Sequence, residues 1–487
     1  MTASTPPARS DPANVPEGPP DLPPASVADA VRRRRTIVTL GIGYAMVILD
    51  RTIVNVALPT IGRDLHAGVA ALQWVVDGYV LVMASLLLSG GALGDWIGAA
   101  RAFRVAVVLF TAASIACALA PTAPVLVGAR LIQGVGAALL MPASWALMAE
   151  AYPDAGQRVR ALAMWGAIGG SPQALGPTLG GLLVTATGWR AIFLINIPLG
   201  VLVLLLARRG LPVPAPVRED RRRGLDLPGQ LTAMIMLASL TLALIDGGAS
   251  GWAQPVPLIA GVTALAGALA LVQRERHTTH PMLPPRLLRA KGLASFAAIG
   301  VLLFFSYYGF VFALSLSLGQ TSGGSALQIG LVLLPAALPI VAVPPLATRL
   351  VTRIGPRPVV AVGAFIATVG CIALAAVATH AGPWLFGATL FVIGVGSGMA
   401  FLPQASLVVA AAPAGFGGVT SGLMNATRQC GSMIGVAVLG AIAVGGSGSV
   451  GGTGGLSLAA FTAAAVMVLA AVIAVSAGRF SRDREAR

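Results

Sequence analysis

Long apolar runs, broken by short segments that hold arginines, prolines and glycines, repeat along nearly the whole chain. Crossing the hydrocarbon of a bilayer as a helix takes roughly 20 mostly apolar residues. Reading the runs at that length predicts helices over 36–58, 70–93, 102–121, 124–149, 159–185 and 191–208. A basic loop follows, then runs over 227–246 and 255–273 and a second charged loop through Lys291. Six more runs lie over 293–318, 327–350, 358–379, 383–403, 418–444 and 456–477. The expected fold is an all-α membrane protein of fourteen spans, divided six, two and six.

An internal repeat supports that division. Gly91 to Ala100, after the second run of the first six, aligns with Thr348 to Arg357 in its Leu, Ile and Gly positions. Such repeats are typical of transporters whose two halves rock about a central site. The expected organisation is a disordered tail at 1–35, a six-helix bundle at 36–208 and a two-helix insertion at 209–292. A second bundle at 293–478 and a tail at 479–487 complete it.

Composition changes the picture in one respect: 56% hydrophobic residues, 10% charged residues and a mean hydropathy of +0.85 exclude a soluble chain of 487 residues. The net charge of +15 would suggest a nucleic-acid partner in a soluble protein, but its distribution argues otherwise. Arginines crowd the start of the first run and every second loop, while the intervening loops keep essentially only Arg63 and Arg190. This positive-inside pattern puts both termini in the cytoplasm, and no nucleic acid is expected. Cys117, Cys371 and Cys430 fall inside apolar runs without metal-ligand spacing, so neither a disulfide nor a metal site is expected.

The candidate chemistry lies in the few charges inside the apolar runs. Asp50 follows Arg35 by fifteen residues, roughly 22 Å along a helix. A carboxylate there must be protonated, paired or facing water, and such residues mark ion or proton pathways more often than structure alone. Asp77 on the second run lies in the same outer half. Arg130 in the fourth run is always charged and needs a carboxylate or carbonyls beside it. An Asp pulled toward ionisation by Arg and toward neutrality by burial can change its proton affinity with conformation. Asp50, Asp77 and Arg130 are therefore the expected proton-coupling groups. Arg51 projects about 100° around the helix from Asp50, so no direct pair between them follows. Arg428 is the deep charge of the second half, and no Asp or Glu occurs between Glu275 and Asp483.

Several segments, taken together and in order, resemble the fourteen-helix drug:proton antiporter family of the major facilitator superfamily. They are Leu49 to Pro59 around Asp50, Gly91 to Gly98, Arg130 to Gly136, Gly176 to Gly181, Trp189 to Gly200, and Asn425 to Gln429. The resemblance implies proton-driven export of small hydrophobic compounds such as antibiotics. It implies a conformational latch at Gly91, Asp95, Gly98 and Arg101, and helix packing through Gly176, Pro177, Gly180 and Gly181. It also points to a substrate cavity lined by Asn55, Gln133, Asn196, Asn425 and Arg428, beside the aromatic candidates Phe305 and Tyr308. The loop departs from the family pattern: Trp96, Ala99 and Ala100 stand where basic residues are usual, and Thr352 replaces the acid in the second copy. Pro172 stands where the helix-five signature usually has glycine.

No enzymatic centre is expected, and no cofactor beyond a proton gradient. Lys291 is the only lysine and is followed by Gly-Leu, so no phosphate-binding loop ends here in Lys-Ser/Thr, and ATP is not expected. The expected partners are protons, a small-molecule substrate and the lipid of a bacterial inner membrane. Proton-coupled uptake of a small solute fits the same architecture, as does a non-transporting receptor. Alanine- and valine-rich helices offer an uptake carrier few polar contacts, and a receptor has little use for Asp50 and Arg130 at depth.

Overall fold

The computed structural model describes residues 27–211, 227–278, 287, 290–321, 325–377, 382–413, 416–445 and 453–485. Seventeen helices run through them. The first eight are α1 (Val27–Asp64), α2 (Val69–Ile97), α3 (Ala99–Ala118), α4 (Ala123–Ala151), α5 (Ala155–Gly170), α6 (Pro172–Thr187), α7 (Ala191–Leu194) and α8 (Asn196–Gly210). A pair follows, α9 (Leu227–Ser250) and α10 (Pro255–His277). The last seven are α11 (Leu293–Thr321), α12 (Ala326–Ala342), α13 (Pro344–Ile354), α14 (Pro356–Val377), α15 (Pro383–Ala410), α16 (Gly417–Gly445) and α17 (Thr453–Glu485). Among the described residues, 12 helices are long and apolar enough to cross a membrane, and the bent pair α12–α13 brings the count to 13.

Helix ends differ from the sequence reading for simple reasons. Neither Gly nor Pro interrupts 27–40, so α1 begins inside the expected tail and carries Arg32 to Arg35 on its first turns. At the other end of the chain, α17 runs to Glu485, through most of the expected tail. The fifth span is broken at Ser171 instead of being continuous. Pro172 has no amide to give to the carbonyl of Ile168, and the Ser171 hydroxyl donates to that carbonyl at 2.9 Å instead. Pro177, five residues further on, lies inside α6. The run expected at 327–350 also breaks, before Pro344, with a bend of 44°.

The packing order repeats between the halves. In the first, α1 packs on α5, α6 and α8, α2 on α4, and α3 on α4 and α8. In the second, α11 packs on α16 and α17, α12 on α15, and α14 on α15 and α17. The halves meet reciprocally, α6 against α12 on one side and α2 against α16 on the other. The pair α9–α10 sits beside the second seam: α9 touches α2 and α16, while α10 packs on α9.

Contacts between the halves concentrate toward the Pro59 end of α1. Gln73 on α2 donates to the carbonyls of Val436 and Ala437 at 3.2 and 3.0 Å. Thr185 on α6 accepts from the amide of Leu327 at 3.2 Å. At Gly181 a Cβ would come within 2.6 Å of the Ala326 carbonyl oxygen, so only glycine lets α6 and α12 approach this closely. At the arginine-rich end, α5 packs on α1, and Gly166 and Gly170 have no foreign atom near a would-be Cβ.

Candidate functional site

Asp50 lies midway along α1 and is completely buried. It forms an ion pair with Nη1 of Arg130 on α4. Its other oxygen accepts from Nε2 of Gln133 at 2.8 Å and from Nδ2 of Asn196 at 3.0 Å. Gln133 sits one turn after Arg130 on α4, so both face the same acid. Ser114 on α3 closes the ring by accepting from Gln133 at 2.7 Å and Asn196 at 3.1 Å. Arg130 also donates through Nε to the Val75 carbonyl at 3.0 Å and through Nη1 to Gln133 Oε1 at 2.7 Å. Its guanidinium lies 4.3 Å from the Tyr79 ring centroid and 5.8 Å from that of Phe193. Four helices of the first half thus converge on one carboxylate.

Asp77 does not join this network. It is fully buried on α2, and among the described residues neither carboxylate oxygen has a hydrogen-bond partner. Burying an ionised carboxylate without hydrogen bonds costs several kcal/mol or more, so this geometry suits a carboxyl that carries a proton.

Arg51 reaches across to the second half. Its Nη1 donates to Gln429 Oε1 at 2.7 Å and its Nη2 to Ser432 Oγ at 2.6 Å, both on α16. The guanidinium lies over Tyr308, 3.9 Å from the ring centroid. Tyr308 itself donates to Gln173 Oε1 on α6 at 3.4 Å. On α16, Arg428 donates through Nε and Nη2 to Gln404 Oε1 at 3.0 and 2.7 Å, and through Nη2 to the Phe401 carbonyl at 2.6 Å.

The residues expected in a substrate cavity divide into two groups. Gln133 and Asn196 are fully buried and committed to Asp50, so they hold the acid and do not line a substrate space. Arg428, Tyr308, Phe305 and Asn425 are half-buried along their helices. Asn425 donates to the Ser421 carbonyl at 3.0 Å. Asn55 is buried, donates to the Arg51 carbonyl at 3.3 Å, and lines a small cavity with Tyr308 and Gln173. That cavity, about 20 Å³, has room for a water molecule and not for a drug.

The helix-five glycines serve two faces. Gly176 and Gly180 sit against Thr52 and Ile53 of α1, inside the first half, whereas Gly181 sits against α12 of the second. In the expected latch, Gly91 and Asp95 fall in the last turns of α2, where side chains lie outside the described residues. Gly98 turns the chain from α2 into α3 at φ 88°, a conformation that favours glycine, and Arg101 beyond it is exposed.

Three participants carried no recognisable signal in the sequence. Ser114 is a lone hydroxyl in an apolar run, and Gln404 is one amide in another. Tyr44, stacked on Trp165 at 4.4 Å between ring centroids, also faces the space between the halves.

Residues 40–436 match the profile of the Major Facilitator Superfamily. A methylenomycin A resistance protein of Streptomyces coelicolor is 37% identical over 410 residues, which cover 83% of this chain and 85% of the relative. The multidrug resistance protein Stp of Mycobacterium tuberculosis is 38% identical over 407 residues, covering 84% and 75%. Among solved structures, a peptide transporter POT superposes with a TM-score of 0.66 at 16% identity, covering 92% of this chain and 95% of that one. A D-xylose–proton symporter gives 0.65 at 16% identity, covering 91% and 97%.

Proposed function

The chain belongs to the Major Facilitator Superfamily, a family of multi-pass membrane transporters and not of enzymes, and from that premise we propose that it exports small hydrophobic organic compounds in exchange for protons. Relatives named for resistance to methylenomycin A and to multiple drugs support export over uptake. The observation that carries proton exchange is the buried ion pair of Asp50 with Arg130.

Ionised Asp50 ties α1 to α4 by charge. A proton arriving from outside neutralises the acid and removes that tie, while Arg130 keeps the Val75 carbonyl and Gln133. The two protonation states therefore favour different packings of α1 against α4, which is the differential that alternating access needs. Asp77 supplies a second carboxyl, placed beside Arg51, the residue that bridges the halves. In this reading the arginine-rich end faces the cytoplasm of a bacterial cell, and the inner membrane holds both termini inside. The structure then represents a state sealed at its outer end. Counting α5 and α6 as one broken span brings the total to fourteen, arranged six, two and six. Asp95 and Arg101 act as the inner latch, and the proton gradient is the energy source with no cofactor.

Inverted membrane vesicles that accumulate a fluorescent drug on acidification of their lumen test this proposal. Asp50→Asn should insert normally and abolish gradient-driven accumulation, since an amide fits the same volume but exchanges no proton. Full uphill transport by this variant at normal expression would overturn the assignment.

A further inference from the structure

Two cations lie where the halves meet, and among the described residues neither is hydrogen-bonded to an acid. Arg51, from α1, is held by an amide and a hydroxyl, Gln429 and Ser432. Arg428, from α16, is held by Gln404 and a backbone carbonyl. Two rings link them. Arg51 lies over Tyr308, Tyr308 and Phe304 stand 5.5 Å apart, and Arg428 lies 5.0 Å from the Phe304 centroid. Tyr44 faces them from the first half, within the electrostatic reach of both guanidinium groups.

The local charge does not balance. Asp50 and Arg130 cancel each other. The second half has no carboxylate between Glu275 and Asp483. Asp77 is the one remaining deep acid beside the pair among the described residues. With Asp77 ionised one cation stays in excess, and with Asp77 protonated two do. Neutral amides and carbonyls satisfy guanidinium hydrogen bonds without neutralising charge, and in a poorly screened interior like charges repel strongly. A planar guanidinium is matched by carboxylate, sulfonate or phosphate, which accept two parallel hydrogen bonds and displace weaker amide partners.

We propose that this is the substrate site and that it selects anions: a compound with an acidic group held between Arg51 and Arg428 and a flat apolar body laid on Phe304, Tyr308 and Tyr44. The proposal rests on the export reading and narrows its substrates to organic acids. Cationic drugs are disfavoured by the same two charges.

Binding to the purified full-length protein in neutral detergent, with no gradient, tests it. The probes share one naphthalene ring: naphthoate, naphthamide and naphthylmethylammonium. Naphthoate should bind about tenfold or more tightly than naphthamide, as expected for charge-assisted over neutral hydrogen bonds, and the ammonium should bind most weakly. Arg428→Gln and Arg51→Gln should each bring naphthoate affinity down close to that of naphthamide, and an unchanged elution profile in size-exclusion chromatography certifies that each variant is folded. Arg428→Lys should retain part of the preference. Equal or tighter binding of the amide or the ammonium to the unaltered protein would overturn the proposal, as would failure of all three to bind. A naphthoate preference that survives both Gln substitutions would overturn it as well. Gradient-driven dye export is measured separately in vesicles. Export without anion preference removes this inference alone, and absence of export of any compound removes the reading beneath it.

Discussion

Replacing Arg130 with Leu should destabilise the protein far more than replacing Arg130 and Asp50 together. The single substitution leaves Asp50 fully buried with only two neutral donors, Gln133 and Asn196, on one of its oxygens. It also removes one donor each from the Val75 carbonyl and from Gln133 Oε1, leaving the latter with the weak Cys117 thiol at 3.6 Å. Removing one partner of a buried ion pair typically costs about 3–5 kcal/mol. Part of that returns if Asp50 takes a proton, so the loss should shrink at low pH. In the double variant Arg130→Leu with Asp50→Asn no charge is stranded, and the amide can still accept from Gln133 and Asn196. Its loss should be about 1–3 kcal/mol, the cost of the Arg130 hydrogen bonds that are lost. The double variant should thus be about 2 kcal/mol more stable than Arg130→Leu alone, so the two losses do not add. Thermal unfolding in detergent at neutral and acid pH, with all four members of the cycle, gives the comparison. Losses that simply add, with no effect of pH on the single variant, would refute the reasoning that this pair is an electrostatic unit.

Asp77→Asn should unfold at the same temperature as the unaltered protein or higher, because the carboxyl it replaces makes no hydrogen bond; a clear drop in the unfolding midpoint would count against a protonated, partnerless acid. Gly181→Leu should reduce export at least about tenfold with insertion kept, since its side chain would meet the Ala326 carbonyl and the Leu327 backbone and overpacking of this kind costs about 1–3 kcal/mol; normal export would show that α6 and α12 need not close. The pair Asp64–Arg190, 45% and 46% exposed, should matter little: Arg190→Gln is expected to change stability by under about 1 kcal/mol, and a loss of several would show that the outer rim is structurally essential.

Much of the architecture was legible because lipid imposes a strong rule on sequence. Charges gather at span ends, so the runs were found, and Asp50 and Arg130 stood out as charges without water. Their partners were not legible. Ser114 and Gln404 are uncharged, and nothing in one sequence says which face of a helix looks inward. Arg51 was readable as a charge at depth, but its reach to Gln429 and Ser432 depends on α1 lying against the other half. Gln133 and Asn196 were expected beside substrate, yet both point at Asp50, because an ionised oxygen attracts donors more strongly than a neutral cavity wall does. The break before Pro172 was hidden because a proline inside an apolar run leaves hydropathy unchanged.

The two breaks, before Pro172 and before Pro344, occur in the two spans that meet as α6 and α12 across one seam. The second span is bent there by 44°, and the first keeps helical dihedrals at Ser171 but lacks the amide of Pro172, so each carries a weakened point. Its outer segment can stay zipped to its counterpart through Gly181 while its inner segment, α5 or α13, swings about the joint. The work of opening the inner end is therefore confined to two elbows and does not require repacking of the whole seam. During opening of the inner end, spin labels placed on α5 and α13 should move by more than labels on α6 and α12, and labels that move equally along both spans in that step would mean that the weakened points stay rigid.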